Sequence, residues 1–196
     1  TFFENEINDI RSNLMSSNII DDSTYAVINS DSFNPYIKFN PDELPTDLVG
    51  KDVGFITEPT YENGSISIKK LSKIDQDAQE KARAKHILLR FDDSNKSTVR
   101  TEANRILNLL RSGSDFEETA RTYSQDGSAS NGGDLGWFTD GMMVKPFQDA
   151  VFSRRRSGLI PRIIETDFGF HIINVTYPKT RTSYFVANIS KDILPS

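Results

Sequence analysis

The stretch Asp167–Val175, DFGFHIINV, sets a glycine and then a histidine at the head of an apolar run. It holds one of only two histidines in 196 residues. The other, His86, sits in a like setting at Ala84–Leu89, AKHILL. Short apolar runs opened by a turn signal read as buried strands. Two such runs, each beginning with a side chain that can donate and accept a hydrogen bond, frame a region of about a hundred residues. Between them, Ala103, Ile106, Leu107 and Leu110 recur at helical spacing, with Gly113 in C-cap position. Ser114 and Glu117 form a capping-box pattern for a second helix, whose buried side carries Phe116, Ala120 and Tyr123. Pro146 opens a third helix, PFQDAVF, where proline fits the first turn. DDSNKS (92–97) reads as a polar loop, LGWF (135–138) as a short strand, and LIPRII and FHIINV as strands joined through ETDFG. The pattern predicts a compact α+β unit.

The first eighty residues carry weaker signals. Phe3, Ile7, Ile10 and Leu14 predict an amphipathic helix over 2–16. STYAVINS (23–30) reads as a strand, and FNPYIKFNPDELPTDLVG (33–50), with three prolines, as mostly loop or short helix. VGFITEPTYENGSISIKKL (53–71) reads as two strands joined at Asn63-Gly64. The charged SKIDQDAQEKARA (72–84) reads as a linker. Set beside Ser157–Val175, the segment Val53–Leu71 repeats a glycine, a strand, a turn, a glycine and a closing strand, with Ile66 in the place of His171. Residues 1–80 are therefore read as a chaperone-like or degenerate repeat module. Residues 179–196 read as a strand-like tail that pairs with TYAVINS or begins another module.

Hydrophobic residues at 36% and charged ones at 26% describe a globular protein, and a net charge of −5 gives no basic footprint for nucleic acid. No apolar run reaches the ~20 residues that span a bilayer. Both ends look cut, so an anchor or signal is expected only in a flank outside this chain. The absence of cysteine excludes disulfides and thiol nucleophiles.

Three ordered blocks, AKHILLRF, DFEETARTYSQDGSASNGGDLGWFTDGMMVKPFQDAVF, and GLIP with TDFGFHIINV, resemble the parvulin family of peptidyl-prolyl cis/trans isomerases. The resemblance covers about residues 82–178. It implies a four-stranded antiparallel half-barrel sheet wrapped by helices, with both histidines on adjacent central strands. It further implies a site of His86, Asp126, Thr166 and His171, with Leu135, Met143 and Phe147 as the proline pocket and Phe168 as a further substrate-binding residue. Phe168 stands where phosphate-directed members carry serine, and the acidic loop Asp92-Asp93 stands where they carry basic residues. A parvulin unit between chaperone-like segments also resembles bacterial periplasmic folding factors of the SurA and PpiD type, which implies an extracytoplasmic location.

The chemistry suits these residue types. Rotation about an X–Pro bond meets a barrier of ~18–20 kcal/mol from amide resonance, and no covalent bond breaks. No nucleophile, metal or cofactor is therefore expected, and the expected partners are unfolded or proline-containing polypeptides. The rival to an isomerase is a parvulin-fold binding module with little turnover, and a scaffold domain is a third reading. The histidines read first as a structural network that shapes the pocket, and second as direct participants in catalysis. Gly132, Gly133 and Gly136 read as turn residues with Asp134 bonding nearby amides, Trp137 as packing, and Arg154–Arg156 as a solvated helix end.

Overall fold

The structure, a computed structural model, describes residues 2–16 and 21–193. The last three residues of the expected tail, with residues 1 and 17–20, lie outside them. The chain forms two compact units. One comprises Thr1–Asp77 with Thr182–Ser196, and the other Ala78–Arg181. Two long strands, β3 (Ser65–Leu89) and β7 (Gly169–Asp192), are hydrogen-bonded neighbours, and each contributes residues to both units.

In the first unit, α1 (Phe2–Met15) buries Ile7, Ile10 and Leu14, as the apolar spacing requires, against Ile66 and Ile68 of β3 and Ala187 and Ile189 of β7. The stretch 23–30 is a helix, α2 (Asp22–Asn29), not a strand. Asp21 decides this: its carboxylate accepts the Thr24 N–H at 2.7 Å and caps the first turn. Val27 and Ile28, which read as strand formers, sit exposed on this helix. Within 33–50, Tyr36–Phe39 is a strand, β1, and a 3₁₀ turn covers Thr46–Leu48. β1 pairs antiparallel with Tyr184–Ala187, so the tail forms its ladder with β1 and not with TYAVINS. β2 (Thr60–Glu62) returns into β3 through Asn63 and Gly64, both at positive φ, the two-residue hairpin expected there. The supposed linker 72–84 is strand throughout, within β3.

In the second unit, β4 (Asp134–Thr139), β3, β7 and the short β5 (Gly158–Leu159) and β6 (Ile164–Thr166) make an open antiparallel sheet. LIPRII is thus two short strands interrupted at Pro161, since a proline cannot donate to the ladder. Strand parity sorts the core. Ile87 and Leu89 of β3, with Phe170 and Ile172 of β7, face α3 (Lys96–Arg111) and α4 (Phe116–Tyr123). Ala82 and Ala84, with Ile173 and Val175, face α5 (Lys145–Phe152). Each large side chain so buried contributes roughly 1.5–3 kcal/mol. The cap of α4 is Asp115, whose carboxylate accepts the Glu118 N–H at 2.8 Å, one residue beyond the expected Ser114. Among the described residues, no helix is long and apolar enough to cross a membrane.

The two hairpins that looked alike both close on two-residue loops, at Glu62–Ser65 and Thr166–Gly169. Counted from the loop, Ser67 and not Ile66 falls at the place of His171. A shift of one residue moves a side chain to the opposite face of its strand.

Candidate active site

His86 on β3 has the parity of Ala84, and His171 on β7 that of Ile173, so both rings stand on the α5 face of the sheet. Phe147 of α5 meets them edge-on, at 5.7 Å from His86 and 5.4 Å from His171. The imidazoles stack at 5.3 Å, with Nδ1 to Nδ1 at 3.1 Å, and are 5% and 4% exposed. Gly133 sets the backbone here: its carbonyl accepts the His86 N–H at 2.8 Å. At φ +79° it has no room for a side chain, because a Cβ would stand 2.2 Å from the His86 carbonyl oxygen.

A directional chain of hydrogen bonds follows from the donors available. The Thr166 hydroxyl accepts the Phe168 N–H at 3.1 Å and lies 2.8 Å from His171 Nε2. Across the pair, His86 Nε2 lies 3.2 Å from Asp126 Oδ2, without the alignment of a full hydrogen bond. Burial raises the Asp126 pKa, but bonds from the Ser128 hydroxyl (2.7 Å) and N–H (2.8 Å), with His86, outweigh it and hold the carboxyl below the usual range. An ionised Asp126 requires a proton on His86 Nε2. His86 Nδ1 then accepts from His171 Nδ1–H, and Thr166 donates to His171 Nε2. Every ring nitrogen has a role when both histidines are neutral.

Burial pushes the His171 pKa down to about 4, with the His86 ring acting in the same direction. It lowers His86 as well, against the opposing pull of Asp126. Unfolded histidine titrates near 6.5, so between that value and about 4 the unfolded chain binds protons that the folded chain refuses. The stability from these rings is present above the unfolded pKa and is lost as pH falls toward the folded one. From about pH 7 to about pH 5, His171 alone should lower stability by about 2 kcal/mol. Urea unfolding midpoints across this window check it. His171→Gln should flatten the slope, and an unchanged slope would refute the assignment.

In front of the pair lies a cavity of ≈ 390 Å³, lined by His86, Asp126 and His171 and walled by Leu135, Met143 and Phe147. Phe168 stands at its mouth, 54% exposed. Seven of the eight residues expected at the site thus border one cavity, and Thr166 lies behind His171. Four lining residues were not anticipated: Leu88, Arg90, Met142 and Val144. Strand parity from His86 would have given Leu88 and Arg90. Arg90 is held beside the site by Gln125, whose side chain accepts the Arg90 N–H at 2.6 Å.

Around the site, Asp134 accepts the Gly136 N–H at 3.0 Å and pairs with Arg83 at 2.7 Å, and Trp137 packs on Tyr177. Among the described residues, no group of three or more histidine, aspartate or glutamate side chains is placed to hold a metal ion. The arrangement can grip a small apolar ring against Phe147 while presenting a partly buried carboxylate to its neighbouring amide.

The family model of the PPIC-type PPIASE domain matches residues 66–179. The chain belongs to the PpiC-type peptidyl-prolyl isomerase family. Among PpiC-type relatives, it is 35% identical over 149 residues to the foldase protein PrsA of Geobacillus kaustophilus, covering 76% of this chain and 50% of that one. It is 36% identical over 152 residues to the chaperone SurA of Burkholderia pseudomallei, covering 76% of this chain and 33% of that one. The chain therefore spans half or less of the length of these relatives. The solved structure of a PpiC-type peptidyl-prolyl cis-trans isomerase domain matches with a TM-score of 0.50 at 29% identity, over 53% of this chain and 94% of that one.

Proposed function

We propose that the chain is a peptidyl-prolyl cis/trans isomerase acting on unfolded or folding polypeptides. The observation that carries this is an ionised, half-buried carboxylate, Asp126, facing an apolar cavity backed by a neutral histidine pair. In this reading the prolyl ring seats against Leu135, Met143 and Phe147, and Phe168 covers the flanking residue. The planar amide carries negative charge on its oxygen through resonance, and twisting removes that charge. A carboxylate beside the carbonyl in a water-poor pocket disfavours the planar form more than the twisted one. His86, His171 and Thr166 fix the back of the pocket and keep the charge of Asp126 from being neutralised. A thousandfold acceleration requires only ~4 kcal/mol of such differential stabilisation.

Relatedness to PrsA and SurA supports an extracytoplasmic location. Exposed Val27, Ile28 and Phe33 in the first unit favour a second reading: the chain is a chaperone-like binding module with little or no turnover. NMR exchange spectroscopy on an Ala-Pro peptide separates the two readings. An isomerase at catalytic concentration should raise the cis/trans exchange rate well above the uncatalysed one, which takes tens to hundreds of seconds. No increase would leave binding without turnover.

A further inference from the structure

We propose that Met142 and Met143 form a methionine-oxidation site through which a peroxide closes the prolyl pocket. The inference rests on the isomerase reading of that pocket. The chain has three methionines and no cysteine, so no thiol competes for a two-electron oxidant. Two of the three line the cavity. Met142 is 64% exposed, and its Sδ accepts the Thr139 N–H at 3.3 Å, which holds the thioether at the mouth. Met143 is half-buried and packs against the core beneath α5, so it is reached second.

The step balances without a further cofactor. A lone pair of the thioether sulfur attacks the distal oxygen of a peroxide. The O–O bond breaks as the S–O bond forms, and the leaving oxygen takes the proton as water or an alcohol. Sulfur loses two electrons and the peroxide gains them. The sulfoxide is polar and chiral where the wall had been apolar, and a methionine sulfoxide reductase with a dithiol reverses it. An apolar ring pressed on that wall strips water from the new oxygen without supplying a donor.

Met15 supplies an internal control. It is 65% exposed on α1, in the first unit, so it should oxidise about as readily as Met142. The test treats the full chain with hydrogen peroxide, maps sulfoxides by mass spectrometry, and follows kcat/KM on the Ala-Pro peptide. Met15→Leu, Met142→Leu and Met142→Leu/Met143→Leu are each compared with and without treatment. Sulfoxide at Met142 and Met143 should lower kcat/KM about tenfold, chiefly through KM, as expected for burying one unpaired polar group. Reductases for both sulfoxide epimers should restore it. Met15→Leu should lose activity on treatment as the parent does, and the double variant should resist.

Full conversion of both pocket methionines with kcat/KM unchanged would overturn the proposal. So would a loss that follows Met15. If the untreated chain shows no turnover, the isomerase reading fails separately, and peptide-induced NMR shifts at Leu135 and Phe147 become the readout. Weaker peptide binding after oxidation would then uphold the methionine site, and equal binding would sink it.

Discussion

Asp126→Asn should lower kcat/KM on an Ala-Pro peptide by on the order of a hundredfold, the scale on which a preorganised electrostatic group acts. Asparagine keeps an oxygen for the two Ser128 bonds and for His86, so the 3₁₀ turn Gly127–Asn131, which Asp126 caps, should survive. The unfolding midpoint should therefore stay near that of the parent while turnover collapses. Asp126→Ala removes the cap too and should add about 1 kcal/mol of instability. If the asparagine variant turns over within a factor of about three of the parent, the carboxylate charge is not what the reaction uses, because charge stabilisation on this scale cannot be lost so cheaply.

Gly133→Ala should be among the most damaging single methyl groups in the second unit. The alanine must adopt φ +79° and place its Cβ 2.2 Å from the His86 carbonyl oxygen, a backbone atom that cannot swing away. The left-handed conformation alone costs roughly 1–2 kcal/mol, and the clash forces Gly133 off β3, for a total above about 3 kcal/mol. Gly136→Ala is the control: its φ is +67° but nothing lies within 4 Å of the new Cβ, so only the conformational cost applies. Urea titration of both variants, with the His86 ring signals followed by NMR, checks the contrast. Equal losses would mean that the close approach of Gly133 to His86 is not held in solution.

The unevenness of what the chain discloses has a physical cause. Ile7, Ile10 and Leu14 could be read as a helix because burial imposes its period on them. Val27 and Ile28 misled for the converse reason: they are exposed, and Asp21 decides the local structure from outside the segment. The middle of β3 had no apolar alternation to read. It is held by neighbouring strands and by pairs such as Lys38 with Asp77 and Lys179 with Glu80. In the site, the residue types were legible through the family resemblance, but the contact between His86 and His171 joins positions 85 residues apart. Met142 went unread because nothing local marks an exposed side chain as a pocket wall, whereas Arg90 was within reach of strand parity from His86.

The second unit is an excursion within the first, leaving at β3 and returning at β7, with Gln76 and Thr182 joined by a side-chain bond at its root. During synthesis the host module cannot complete its sheet until Tyr184–Ala187 emerges to meet β1. Closing a slack loop of roughly a hundred residues would cost about 4 kcal/mol of chain entropy, whereas a guest already folded delivers its two ends side by side. The second unit is thus placed to complete its fold before the first, bringing together the two chain ends that the sheet of the first unit needs. A chain halted once Arg181 has cleared the ribosome would carry a folded second unit attached to an unfinished first one.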